Sequence, residues 1–156
     1  MGLRQNILTD PVSELDLRKI ATVKPDTTVR QAVATMREHQ LGCVIVVDSL
    51  GKPIGKFTER QVTKLLLDDT SKLDEPIKNH MLTSADPVRD TDSIAGMVSK
   101  MQVGNLRFIC VTNAQGKATA LAGQKSLMEY IADHFPRQIK VQRMRSKIFM
   151  DEREGA

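Results

Sequence analysis

Tryptophan is missing from this chain of 156 residues, and aromatic side chains make up only 3% of it. Wide stacking platforms for single-stranded nucleic acid are therefore not expected. Only two cysteines occur, Cys43 and Cys110, both inside apolar runs. They read as small buried hydrophobes, since nothing nearby supplies the other ligands of a metal site or a disulfide framework. Three histidines, His39, His80 and His134, are scattered without metal-ligand spacing and read as surface or helix-end residues. No apolar run reaches the length of a membrane span, and the first residues lack a basic-then-apolar leader. A cytoplasmic protein without membrane attachment is the expectation. Catalytic constellations are absent too. There is no spaced carboxylate pair, no nucleophile with a matched base, no phosphate-cradling glycine loop and no metal set.

What the chain does contain is itself, twice. With an offset of 65 residues, Asp10–Val62 falls on Glu75–Leu127 without a gap. Val29, Ala32, Val33 and Met36 become Ile94, Met97, Val98 and Met101, an apolar stripe at i, i+3, i+4, i+7 in both copies. Cys43–Val47 falls on Phe108–Thr112, and Gly51-Lys52 on Gly116-Lys117. The length suits one domain in which two half-size repeats share a core. A duplicated unit buries its hydrophobic face against its twin, and the seam between them is a natural ligand site.

Each copy reads as strand, helix, strand, turn, strand, helix. Short lead strands are expected near Ile20–Val23 and Ala85–Val88. The stripes predict helices near Val29–His39 and Ser93–Val103, with Thr27, Thr28, Asp92 and Ser93 as cap candidates. The continuous β-branched run Cys43–Val47 predicts a central strand. Residues 48–52 and 113–117 predict turns whose Gly51 and Gly116 need a positive φ. Second strands are expected near Pro53–Phe57 and Ala118–Ala122, then closing helices near Glu59–Leu67 and Gln124–His134. The division is an N-terminal extension of residues 1–9, repeats over 10–70 and 71–136, and a basic segment over 137–156.

These residues resemble the cystathionine β-synthase (CBS) domain, which occurs as a tandem pair, the Bateman module. The resemblance is carried by Val23-Lys24-Pro25-Asp26-Thr27-Thr28-Val29, Ala32, Met36, Val44–Asp48, Gly51 and Gly55-Lys56-Phe57-Thr58-Glu59-Arg60. The second copy keeps Ile94, Met101, Val111, Gly116 and Lys117. The resemblance implies an α+β fold of two pseudo-symmetric βαββα repeats packed sheet to sheet. It further implies a regulatory module, not an enzyme, with no required cofactor. The candidate ligands it implies are AMP, ADP, ATP or S-adenosylmethionine in clefts between the repeats. A homodimer and an unidentified protein partner are expected as well.

The family's ribose-phosphate signature is a glycine, two apolar residues, Ser or Thr, two variable residues and Asp. Repeat one keeps Gly55 and Thr58 but places Gln61 where the Asp belongs; Thr22, at the end of the lead strand, is the candidate contact for the base edge. Arg60 is a candidate phosphate contact. Repeat two retains Gly123, Lys125 and Ser126 around the equivalent turn, with neither hydroxyl nor carboxylate in register. Thr58 has a second account: Thr58-Glu59-Arg60-Gln61 fits a capping box that needs no ligand.

The charge is uneven. Of a net +4, three units fall after residue 136. Drawn as a helix, Lys140, Arg143 and Lys147 share a face beside an apolar stripe of Val141, Met144 and Ile148, a candidate partner-binding surface. Three functions stay open on sequence alone. One is a nucleotide sensor, one a ligand-free dimerisation or adaptor protein, and one a weak nucleic-acid binder acting through the tail.

Overall fold

The computed structural model describes residues 2–134. The basic segment, with Lys140, Arg143 and Lys147, lies outside the described residues. The element order is α1 (Leu3–Thr9), β1 (Arg18–Lys19), β2 (Thr22–Val23), α2 (Val29–His39), β3 (Cys43–Val47), β4 (Pro53–Thr58), α3 (Glu59–Asp68), β5 (Val88–Arg89), α4 (Ile94–Val103), β6 (Phe108–Thr112), β7 (Ala118–Gly123) and α5 (Gln124–His134). Short 3-10 helices at Val12–Glu14, Thr70–Asp74 and Ile77–Asn79 punctuate the connections.

The periodic stripes become helices where the sequence places them. Thr28 caps α2 with a full capping box to Gln31, and the Ser93 hydroxyl caps α4 by accepting from the Gly96 N–H. Val29 and Ala32 on α2, and Ile94 and Met97 on α4, are fully buried. Gly51 and Gly116 take φ of +80° and +75°, as the two turns require.

The strands form two sheets, in the order β2-β3-β4 and β1-β7-β6-β5. Within each repeat a parallel pair joins an antiparallel hairpin. Burial divides the faces by alternation along β3. Val44 and Val46 pack with the helices of repeat one. Cys43, Ile45 and Val47 pack instead with Cys110 and Leu121 of repeat two. The sheets therefore meet face to face through these residues. Among the described residues no helix is long and apolar enough to cross a membrane.

The repeats also exchange their lead-ins. Val12 is buried in the core of repeat two, while Ile77 is buried in the core of repeat one. The exchange is symmetric to the hydrogen bond. Val12 N–H donates to Asp92 O at 2.8 Å, and Ile77 N–H donates to Thr27 O at 2.7 Å. Ile94 N–H donates to Asp10 O, and Val29 N–H donates to Glu75 O, both at 3.0 Å. Just beyond each crossing, Arg18 of β1 pairs with Leu121 of β7, and Leu82 bridges Lys56 of β4.

Candidate functional site: the cleft between the repeats

The register of repeat one sets out the candidate residues. Thr22 lies opposite Ile45, which lies opposite Lys56, and Cys43 lies opposite Thr58. Residues opposite one another share a sheet face, so Thr22, Lys56 and Thr58 belong to the face turned toward repeat two. The sequence thus places Thr22 and Thr58 on one surface, with β3 between them.

The start of α3 is satisfied from within. Gln61 completes a capping box with Thr58, its Oε1 accepting from the Thr58 backbone N–H at 3.0 Å and also from the Thr58 hydroxyl. The Glu59 N–H donates to Gly42 O at 3.0 Å. The Glu59 carboxylate and the Phe108 ring both close over Gly42, where an added Cβ would meet each at 3.4 Å. Gly55 has its own reason to be glycine: a Cβ there would stand 2.7 Å from both Leu82 O and Met81 Sδ. The exchanged lead-in of repeat two needs that room. Arg60 is exposed on α3.

In repeat two the counterpart of Thr58 is Gly123, paired with Phe108. A Cβ at Gly123 would lie 3.1 Å from Arg107 O and 3.3 Å from the Phe108 ring, so the aromatic ring covers this position. Lys125 is exposed and pairs with Glu129 at 3.5 Å along the helix. Ser126 is only 2% exposed and faces the packed interior of α5, so its hydroxyl offers no open surface to a ligand. Position 61 is half-buried in repeat one, whereas its equivalent in repeat two, position 126, is fully buried.

Space opens at the other end of the sheets. A cleft of about 760 Å³ is lined by Thr22, Val23, Lys24, Thr27, Thr35, Val47, Ser49, Leu50 and Gly51 of repeat one and by Lys117 and Ala118 of repeat two. Lys24 Nζ donates to Asp48 O at 2.7 Å, and the Lys24 N–H donates to the Thr27 hydroxyl oxygen at 3.2 Å. The turn of repeat two docks here through the Ala118 N–H, which donates to Gly51 O at 3.0 Å. The Lys117 stem crosses Gly51 so closely that a Cβ would fall 2.8 Å from its Cε. Thr22 is the one sequence-selected residue that lines this cleft; Lys24, Thr27, Ser49 and Lys117 join it. Sequence reading passed over these four. The recurring Gly51-Lys52 and Gly116-Lys117 were legible as turns, but only the folded seam brings a lysine from one turn across the other.

A second cleft, of about 530 Å³, lies within repeat one between α2 and the start of α3, lined by residues such as Met36, Arg37, Glu59 and Val62. Thr58 lines neither cleft. The two thiols are buried in the inter-sheet seam, and burial pushes Cys43 up to about 11 and Cys110 up to about 12. Both stay protonated and unreactive near neutral pH. Among the described residues no group of three His, Cys, Asp or Glu is placed to hold a metal.

Comparison with known proteins links the first repeat to a domain family and the whole architecture to solved folds. The CBS domain model matches residues 12–68. A 17.7 kDa protein of Acidianus ambivalens is 25% identical over 122 residues, spanning 78% of this chain and 73% of its own. A CBS domain protein of Pyrobaculum aerophilum, solved as a complex with AMP, superposes with a TM-score of 0.69 at 21% identity, covering 85% of this chain and 96% of the other. The CBS domain pair of protein MJ0100, solved with 5-methylthioadenosine and S-adenosyl-L-methionine, superposes at 0.70 and 15% identity, over 81% and 98% of the two chains. Residues 12–68 thus match the CBS domain, and the described residues, with their duplicated stripes and two face-to-face sheets, are similar in fold to CBS domain pairs.

Proposed function

We propose that this chain is a regulatory module that binds an adenosyl nucleotide (AMP, ADP or ATP) in the cleft between its repeats. S-adenosylmethionine is the remaining candidate. The observation that carries the reading is the cleft itself. Its volume of about 760 Å³ falls within the range of small-molecule sites, and both repeats contribute to its wall. It mixes apolar surface from Val23, Val47 and Leu50 with hydroxyls and two ammonium groups, the chemistry of an amphiphilic anion. Similarly folded pairs have been solved holding AMP or S-adenosylmethionine.

The output would be conformational. A ligand that touches both Gly51 and Lys117 favours whichever arrangement of the two repeats it fits better, and a partner or a second copy of the chain reads that arrangement. A catalytic role has no support in the arrangement of side chains at the cleft. A second reading, a ligand-free dimerisation or adaptor module, draws on the internally satisfied start of α3 and on the Phe108 ring over Gly123.

Thermal unfolding with AMP, ADP, ATP, S-adenosylmethionine and a guanosine control separates the two. At about 100 times its dissociation constant a ligand adds about 2.7 kcal/mol. In a chain of this size that raises Tm by about 5–10 °C. A rise with an adenosyl compound and none with guanosine is the expected result. No rise with any of them would leave the adaptor reading in its place.

A further inference from the structure

We infer that the cleft holds the phosphate of its ligand at the turn end, between Lys24 and Lys117, and not at the start of α3 where the family signature of repeat one would put it. The inference rests on the nucleotide reading for the rest of the ligand, but the phosphate site stands on its own observations.

The first concerns charge. Lys24 and Lys117 come from different repeats and line one cleft, and among the described residues no carboxylate lines it with them. The acids that flank the lining residues Thr27 and Ser49 in sequence, Asp26 and Asp48, are engaged elsewhere. Asp26 pairs with Lys78 at 2.6 Å. The Asp48 carboxylate turns back into its own turn, accepting from the N–H groups of Leu50 at 2.8 Å and Lys52 at 2.9 Å. Lys24 spends one of its three donors on Asp48 O and keeps two, and among the described residues neither lysine pairs with an acid. Two like charges held around one space are relieved by an anion between them. Ser49 and Thr27 add hydroxyls; the Thr27 oxygen already accepts from the Lys24 N–H, which leaves its proton free to donate.

The second observation is independent and excludes the alternative. At the start of α3 the Thr58 hydroxyl donates to Gln61, the Glu59 N–H donates to Gly42 O, and the Glu59 carboxylate lies over Gly42 beside the Phe108 ring. A phosphate there would meet a carboxylate and an aromatic ring, and the groups meant for it already have partners. Like charges at that range repel, and the approach would also cost the capping box. Lysine is a recurrent phosphate ligand because its ammonium is a compact point charge on a flexible stem.

The test compares AMP, adenosine and inorganic pyrophosphate, by calorimetry and by backbone amide shifts, on the wild-type chain and three variants. Lys24→Met and Lys117→Met remove charge but keep the stem, including the part of Lys117 that packs on Gly51. Thr58→Asn removes the hydroxyl but keeps an oxygen able to cap α3. Wild type is expected to prefer AMP over adenosine. Each lysine variant is expected to cut that preference about tenfold, the loss of one charge-assisted hydrogen bond, while Thr58→Asn leaves it in place. Pyrophosphate is expected to shift the amides of Ser49, Gly51 and Lys117. Preference lost in Thr58→Asn and kept in both lysine variants would overturn the inference and leave the nucleotide reading standing. Pyrophosphate shifts that vanish in the lysine variants, with no adenosyl compound bound, would keep the phosphate site and remove the nucleotide reading. No response to any of the three would overturn both.

Discussion

Val12 and Ile77 occupy each other's repeats. They are equivalent positions of a duplicated unit, both fully buried, and each completes the hydrophobic cluster of the opposite copy. The backbone bonds to Asp92 and Thr27 fix them there at 2.8 and 2.7 Å.

Truncating either residue therefore weakens the whole pair. Ile77→Ala is expected to cost about 2–5 kcal/mol and Val12→Ala somewhat less. Urea denaturation followed by circular dichroism checks both the size and the shape of the effect. A single shifted transition is expected, because neither core is complete alone. Two separate transitions would mean that the exchange does not couple the repeats.

Thr58→Ala removes the hydroxyl from the capping box at α3 and is expected to cost about 1 kcal/mol without any ligand present, whereas Thr58→Ser restores most of it. The same urea titration reads both variants. An unchanged midpoint in the alanine variant would show that the cap contributes nothing.

Gly55→Ala addresses the crossing of the second lead-in. Its Cβ would fall 2.7 Å from Leu82 O, a backbone atom that cannot swing away. Lys56 and Leu82 exchange two backbone hydrogen bonds, at 3.0 and 2.9 Å, right beside it. Displacing the lead-in breaks them, and a loss of about 1–3 kcal/mol is expected, typical of overpacking. Amide hydrogen exchange should show Lys56 and Leu82 losing protection first. Protection retained at both would refute the account.

The Tyr130 hydroxyl donates to Asp10, and burial beside Asp10 and Glu14 pushes it up to about 12. A tyrosine whose pKa is raised by folding favours its neutral form in the folded state. Its contribution is complete below the unfolded value near 10 and is lost as pH climbs from about 10 to 12. The buried thiols act in the same direction from about pH 9 upward. Stability is expected to fall steadily on the alkaline side, with the upper part of that slope reduced in Tyr130→Phe. A flat profile between pH 9 and 12 would contradict the burial of all three groups.

Much of this fold could be read from residues alone, and the reasons are local. The stripes at Val29–Met36 and Ile94–Met101 match one buried helix face each, and the caps Thr28 and Ser93 stand next to them. The helix over Gln124–His134 and the strand Cys43–Val47 fall where their patterns put them. What escaped was set by distant partners. β1 is only Arg18-Lys19, two charged residues that become a strand because β7 lies alongside. Leu3–Thr9, within the N-terminal extension, is a helix that packs against α4. For the candidate site the contrast is sharper. Thr22 was singled out by the resemblance, which implies a base contact at the end of the lead strand, whereas the capping account of Thr58 was legible from its spacing to Gln61. Lys117 could not be placed at a cleft with Lys24, because the two are joined only by the meeting of two turns across the seam.

The exchanged lead-ins also shape how the chain comes into being. A duplicated sequence suggests two parts that fold in turn, yet the first core waits for Ile77, and the second must capture Val12 from the start of the chain. The pairing of Arg18 with Leu121 closes a loop spanning most of the described residues. Contacts so remote in sequence are slow to form, because their loop entropy is lost before they are gained. On the ribosome the first repeat would emerge with an open groove in its core until the second lead-in followed. The two copies, alike enough to look separable, are born dependent on each other.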